Sequence, residues 1–320
     1  MAKFHVYVTD QRQPSFDIER EILRECGADL TLCQCVSPED IARECADADA
    51  VLLDLAPMTG AAVRALKKCR VISRYGVGVD NVDLSAAAEC GIQVTNVPDY
   101  CMEDVSDHAL ALLFACLRSV VLRDREIRQG RWNIQSPGFR LRGKTLGLVG
   151  AGRIARALVK KVSGFGLREV VAYDPFLSAE ELAAFGVRKV DFAELLAISD
   201  FVSLHLNLTD STRGIIGRDA LARMKETAIL INVSRGGLVD PDALLDALEH
   251  RRILAAGLDT HCIEPVPPDS GFMHLDNIVM TDHSAYNTVE GVEELKTKAA
   301  KNVAAVLRGE APPYPVTAVR

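Results

Sequence analysis

Short apolar runs alternate with amphipathic stretches from the first residues onward. His5-Val6-Tyr7-Val8 predicts a strand. Residues 14–26 predict a helix, with Phe16, Ile18, Ile22 and Leu23 as its apolar positions and Gly27 as its stop. Ser37-Pro38-Glu39-Asp40 has the form of a helix start, serine at the N-cap and proline in the first turn. Residues 51–55 are almost continuously apolar, as a strand buried on both faces would be. A helix over 59–68, a strand at Val71-Ile72-Ser73, a helix over 84–90 stopped by Gly91, and a strand at Ile92-Gln93-Val94-Thr95 complete the series. Alternation of this kind predicts a doubly wound α/β unit.

A long helix is expected over 103–129, then an irregular stretch containing Trp132, Pro137 and Gly138. A second α/β series opens at Thr145. Its predicted strands are 145–149, 170–173, 187–190, 201–206, 229–233, 255–258 and 278–281. Ser178 with Glu181 forms a capping box, and Asp240-Pro241 an N-cap followed by proline. A last helix is expected over 290–307, before the tail Pro312-Pro313-Tyr314-Pro315.

Length agrees with two series: 320 residues exceed what one hydrophobic core usually serves. With 48% hydrophobic and 25% charged residues, the chain is a globular protein, not a disordered or fibrous one. Lys plus Arg number 37 against 44 Asp plus Glu, a net charge of −7. That balance argues against nucleic acid or an acidic membrane as partner. The best candidate for a membrane span, 109–117, ends at Arg118, far short of roughly 20 residues. No apolar leader opens the chain, and its nine cysteines are scattered. Cys33 and Cys35 form a C-x-C with no metal-ligating neighbour nearby, so the expectation is free thiols in a reducing cytoplasm and no metal.

The chemistry begins at the second series. The strand Leu146-Gly147-Leu148-Val149 runs into Gly150-Ala151-Gly152-Arg153-Ile154-Ala155, a G-x-G-x-x-A turn. Gly150 permits the tight turn, Gly152 lets the backbone approach a pyrophosphate, and Ala155 lets the helix pack on the strand. Phosphate then meets the free N–H groups of the helix N-terminus. The next strand ends at Asp174, about 20 residues on, where a carboxylate binds the ribose hydroxyls. A plainer alternative makes Asp174 a cap for the turn at Pro175. The complete strand–turn–helix–strand unit favours a dinucleotide, and a carboxylate there repels a 2′-phosphate, so NAD is expected.

Three polar residues follow later predicted strands, at the edge where open α/β sheets place their sites. Arg235 precedes Gly236-Gly237, Glu264 precedes Pro265, and His283 follows Thr281-Asp282. A 2-hydroxy or 2-oxo acid needs these types. Arginine grips the carboxylate and polarises the carbonyl, histidine exchanges the hydroxyl proton, and a carboxylate orients the imidazole and favours its charged form. Taken singly, Arg235 reads as a surface ion-pair residue, Glu264 as a loop cap and His283 as a satisfied strand-end histidine. The functional reading rests on the three together. His205 reads as lining the cofactor cleft and His108 as structural, while His261 and His274 carry no assignment.

These residues make the chain resemble the D-isomer-specific 2-hydroxyacid dehydrogenase family, near its phosphoglycerate dehydrogenase and C-terminal binding protein branch. The matching segments are 74–83, 150–154, 232–240, Asp259 with Glu264-Pro265, and His283. The resemblance implies an α/β fold of two Rossmann-like domains (flavodoxin-like substrate and NAD-binding) with a cleft between them. It divides the chain into a discontinuous substrate domain, 1–99 and 290–320, and an NAD-binding domain, 100–289. It also implies a homodimer through the helix after Asp99. By position, Arg235 would bind the substrate carboxylate and carbonyl, and Glu264 and His283 would be the acid/base pair. Asp259 would hold the nicotinamide carboxamide, Val233 and Ser234 would line its face, Arg153 and Ile154 would meet the pyrophosphate, and Asp174 the ribose. Arg74, Tyr75, Gly76 and Val77 would form a turn offering backbone N–H groups to the substrate.

Two positions depart from the family pattern, which usually has proline where Asp282 and Asn207 stand. Asp282 adds a carboxylate beside the acid/base pair, and Tyr286 an aromatic ring near the substrate mouth. The expected activity is NAD-dependent hydride exchange with a small D-2-hydroxyacid of phosphoglycerate, glyoxylate/hydroxypyruvate or lactate type. The alternative is an NAD(H)-sensing interaction protein. Formate dehydrogenase is disfavoured, since that branch carries glutamine where Glu264 stands.

Overall fold

The computed structural model describes residues 3–132 and 138–317. The chain divides into two compact units, Met1–Cys101 with Thr288–Arg320, and Met102–Asn287.

The first unit is built on five parallel strands: β1 (Phe4–Val8), β2 (Ala28–Leu32), β3 (Ala50–Leu53), β4 (Val71–Arg74) and β5 (Gln93–Thr95). Their order, β2-β1-β3-β4-β5, is the flavodoxin-like one. β3 and β4 are buried throughout, which is why they read as apolar runs. β2 is absent from the sequence reading. It is an edge strand in which buried Ala28 and Leu30 alternate with exposed Asp29 and Thr31, so no apolar run announces it. The helix Pro38–Glu44 carries the expected Ser37 cap in a full capping box, with Asp40 rather than glutamate returning the bond. The tail after the last helix, Val289–Arg308, adds to the open edge of the sheet, where Val316 N–H donates to Val94 O.

The second unit holds seven parallel strands: β6 (Thr145–Val149), β7 (Glu169–Tyr173), β8 (Arg188–Lys189), β9 (Phe201–Leu204), β10 (Ile229–Asn232), β11 (Ala255–Leu258) and β12 (Ile278–Met280). The order β12-β11-β10-β9-β6-β7-β8 reverses direction between β6 and β9. Ligands of open α/β sheets bind at such a switch point, beyond the carboxyl ends of the strands. One core packs Val149, Leu204, Leu230 and Leu258 of the sheet against Leu195, Leu221 and Leu244 of the helices.

The long helix expected over 103–129 is two helices, Met102–Arg118 and Val120–Arg128, bent by 62°. Ser119 between them is left-handed, with φ of 52°. Serine followed by the β-branched pair Val120-Val121 is a weak helical sequence, and Val120–Arg128 buries no side chain that would hold it in line. Pro137 of the irregular stretch lies outside the described residues. No single helix among the described residues is long and apolar enough to cross a membrane.

Candidate active site

Six loops at the carboxyl edge of the seven-stranded sheet carry the residues singled out in the second unit. The glycine turn follows β6. Gly150 has φ of 90°, and a Cβ there would stand 2.6 Å from His205 O. Both facts require glycine. Gly152 faces open space on the side a Cβ would occupy. The helix Arg153–Val162 starts from it with no side-chain cap, so its first N–H groups are left for a ligand. Gly152 and Arg153 are exposed and Ile154 half-buried, while Ala155 packs fully against the sheet.

Asp174 directly follows β7, and its carboxylate is already engaged. Oδ2 accepts the Ala151 N–H at 2.9 Å, and Oδ1 accepts the Phe176 N–H at 2.9 Å. The turn-capping bond and a place beside the glycine turn are therefore both real, and each oxygen keeps a lone pair for a ribose hydroxyl. On the other side of the switch point, Nε2 of His205 lies 2.9 Å from Ser203 Oγ, while its buried Nδ1 has no partner among the described residues. Burial pushes this imidazole down to about 4, so it is neutral at neutral pH. An uncapped helix end, an open glycine face and an orphaned ring nitrogen fit the dinucleotide expected from the sequence.

The loop after β10 is held by Asn232, which sequence reasoning passed over. Its Nδ2–H donates to Arg235 O at 2.9 Å, and its Oδ1 accepts the Ser234 N–H at 3.1 Å. A polar residue inside the apolar run 229–233 was the available signal. Ser234 Oγ–H donates to Leu204 O, tying this loop to β9. Val233 is buried, Ser234 and Arg235 are half-buried, and Arg235 Nη1–H donates to Ser234 O at 2.8 Å.

Glu264 and His283, from the loops after β11 and β12, meet. His283 Nδ1–H donates to Glu264 Oε2 at 2.8 Å. The other oxygen, Oε1, accepts the backbone N–H of His261 at 2.9 Å. Burial pushes the Glu264 carboxyl up, but the bonds and charge from His283 and His261 outweigh it and hold the group below its usual range. Glu264 is thus an anion at neutral pH. With Nδ1–H committed to it, Nε2 is the imidazole nitrogen that can exchange a proton with a ligand.

His283 sits at φ of 58°, a left-handed conformation costing a non-glycine residue about 1 kcal/mol or more. Asp259 imposes it. Its carbonyl accepts the His283 N–H at 2.8 Å, and its carboxylate accepts the N–H groups of Ser284 and Ala285. Thr281 Oγ1–H donates to Asp259 Oδ1 at 2.6 Å. A hydroxyl has one proton, so the His108 Nε2 that lies 2.9 Å from Thr281 Oγ1 must carry the proton of that bond. His261 closes the arrangement: its Nε2–H donates to Thr281 O. His261, without assignment in the sequence, braces Glu264 through its backbone N–H and the segment before His283 through its ring. Its place three residues before Glu264 was the only hint.

In the first unit, residues 74–77 follow β4. The Tyr75 N–H donates to Leu53 O and the Gly76 N–H to Arg74 O, so neither is left for a ligand. This corrects the expectation that the whole turn offers N–H groups. Among the described residues just after Gly76, half-exposed Val77, Gly78 and Val79 have N–H groups that are left open. The Tyr75 ring is buried, its hydroxyl donating to Glu19 Oε1 at 2.9 Å. Gly76 has φ of 135°, and the Arg74 guanidinium lies where a Cβ of residue 76 would stand.

Comparison with known proteins gives a consistent result. A family model described as D-isomer specific 2-hydroxyacid dehydrogenase, NAD binding domain, matches residues 110–285. Glyoxylate reductase of Korarchaeum cryptofilum is 41% identical over 273 residues, 83% of this chain and 82% of that protein. D-3-phosphoglycerate dehydrogenase of Methanocaldococcus jannaschii is 37% identical over 308 residues, 95% of this chain but 58% of that protein. The chain spans little more than half the length of this phosphoglycerate dehydrogenase. Among solved structures, TT0316 protein from Thermus thermophilus is 35% identical with a TM-score of 0.88, covering 98% of this chain and 100% of that one. A glyoxylate reductase from Paecilomyes thermophila is 29% identical with a TM-score of 0.89, covering 99% of both.

Proposed function

The chain belongs to the D-isomer specific 2-hydroxyacid dehydrogenase family, and from that premise we propose that it reduces a short 2-oxo acid to the D-2-hydroxy acid, or runs the reverse, with NAD as cofactor. When bound, NAD supplies or takes the hydride at C2 of the acid. Gly150, Gly152, Arg153 and Ile154 hold its pyrophosphate, Asp174 its ribose, and Val233 and Ser234 line the nicotinamide, with His205 on the adenine side.

Arg235 grips the carboxylate and polarises the carbonyl. His283 Nε2 delivers the proton to the forming alkoxide, and Glu264 stabilises the charged imidazole. Asp259 anchors the His283 turn and meets the nicotinamide carboxamide with what acceptor capacity that anchoring leaves. The open N–H groups of Val77 and Gly78 take part of the substrate's negative charge, and Arg74, Tyr75 and Gly76 shape the turn that presents them. In this scheme Met1–Cys101 with the C-terminal helix is the substrate domain and Met102–Asn287 the NAD-binding domain.

The observation that carries the reading is the His283–Glu264 pair with Nε2 left for substrate, beside a fitting dinucleotide cradle. The glyoxylate type is favoured, because the relative of matching length is a glyoxylate reductase. The NAD(H)-sensing alternative is not favoured, since the matched relatives are reductases and dehydrogenases. A cytoplasmic homodimer completes the proposal. Exposed Val120, Val121, Ile127 and Trp132, all from one short segment, support the dimer. The test is NADH oxidation over a panel of glyoxylate, hydroxypyruvate, pyruvate and 3-phosphohydroxypyruvate. Preference for the short acids is expected. Tight NADH binding without turnover on any of them would restore the sensing reading.

A further inference from the structure

Behind the strand end that carries Arg235, the Met102–Asn287 unit contains a cavity of about 300 Å³. Its apolar lining includes Val239, Leu244, Ile263, Val266 and Phe272. This volume lies at the small end of ligand-binding cavities. Thr260 lines it, is only 2% exposed, and its hydroxyl has no hydrogen-bond partner among the described residues. A buried hydroxyl without a partner is costly and calls for one. Asp269, exposed, is the one carboxylate of the lining, no lysine or arginine lines the cavity, and the His261 imidazole that does has its Nε2–H engaged by Thr281 O. A 2-oxo acid anion is therefore unwelcome here, in contrast to the site at Arg235. Ile263 at the rim is 65% exposed, a large apolar side chain that the proposed reaction does not use.

The wall is also part of the catalytic loop. His261 and Cys262 pass directly over Gly236, where their backbone occupies the space of a Cβ. Two residues on, the same loop presents Glu264 to His283. We propose that this cavity is a second binding site, for a small uncharged aromatic or branched-aliphatic molecule with one hydrogen-bonding group, and that its occupant acts on the acid/base pair through the 260–264 loop. The hydroxyl of Thr260 takes the polar group, and the apolar walls take the rest. The coupling to the acid/base pair rests on the activity proposed above; the binding does not.

Indole is a suitable probe, and indole-3-acetate is its anionic counterpart. Calorimetric titration of the NADH-loaded protein is expected to show saturable binding of indole and none of indole-3-acetate. Leu244→Trp and Ile263→Trp fill the cavity and should each abolish binding, with thermal melts confirming that at least one variant folds. Thr260→Val should weaken binding about fivefold. Saturating indole should change kcat/KM for the preferred 2-oxo acid at least twofold, and have no effect on the filled variants. Absence of saturable binding, equal binding by the filled variants, or equal binding of the anion would overturn the site. Bound indole with unchanged turnover would overturn the coupling. Indole binding in a protein that turns over no 2-oxo acid would defeat the activity reading and leave the site standing.

Discussion

Asp259 holds His283 in place through the main chain: its carbonyl accepts the His283 N–H at 2.8 Å, and its carboxylate takes the next two N–H groups. At 1% exposure its side chain is buried, its partners are almost all donors of this one turn, and His108 lies 3.4 Å away. Asp259→Asn turns one acceptor into a donor that faces an N–H. Stability should fall by about 1–3 kcal/mol. The imidazole should shift enough to lower kcat by about a hundredfold, with KM for the 2-oxo acid little changed. Thermal melts and steady-state kinetics together check this, and an unchanged kcat would remove Asp259 from the positioning of His283.

Glu264→Gln keeps the shape of the loop and removes the anion. Since the wild-type carboxyl lies below its usual range, it stays ionised across the neutral region. In the variant the charged imidazole loses its partner. The rate of 2-oxo acid reduction should then begin to fall at lower pH than in the wild type, with kcat/KM down by about a hundredfold. A pH–rate profile identical to the wild type would contradict the pairing.

Asp174 bonds to the Ala151 N–H, so its removal by alanine would loosen the glycine turn as well as the ribose site. Asp174→Asn is the gentler test: its amide oxygen keeps one of the two backbone N–H bonds while the charge disappears, and a thermal melt accounts for the bond that is lost. Discrimination of NADH over NADPH should fall by about tenfold or more, and a ratio of kcat/KM values unchanged from wild type would sink the assignment.

Much of this was legible in the chain. The glycine turn, Asp174 and the Arg235, Glu264 and His283 positions are local signals, each at a strand end that the apolar runs mark. What stayed hidden depends on neighbours far away in sequence. β2 alternates buried and exposed residues because it is an edge, and five residues of alternation are a faint signal. The break at Ser119 reflects the absence of any core beneath Val120–Arg128, which no periodicity reveals. The role of His261 appears only when its ring reaches Thr281, 20 residues on, and its N–H reaches Glu264. Tyr75 sits in a motif that suggests a ligand, yet its ring turns inward to Glu19.

Asp200 makes a prediction about stability alone. It joins the amino ends of β6, β9 and β10: its Oδ2 accepts the Thr145 N–H, and Oδ1 accepts from Lys144 and Lys225. Burial pushes its carboxyl up, but these donors outweigh burial and leave it lowered. A lowered acid adds stability that is present above its unfolded value, near 3.9, and is lost as pH falls through the folded value. Asp200→Asn should therefore cost about 1–3 kcal/mol at pH 7 and progressively less below pH 4, with kcat and KM unchanged. Urea denaturation at pH 7 and pH 3 measures the difference. An equal loss at both would show that ionisation of Asp200 is not what stabilises the fold.

The proposed chemistry depends most on Arg235, half-buried at the end of β10 and held there by Asn232. The decisive measurement is NADH oxidation with glyoxylate by the wild type and by Arg235→Ala, with NADH affinity measured on both. Turnover should fall by about a thousandfold, with NADH affinity nearly unchanged. Normal turnover in the variant, or a loss explained by failure to bind NADH, would contradict it.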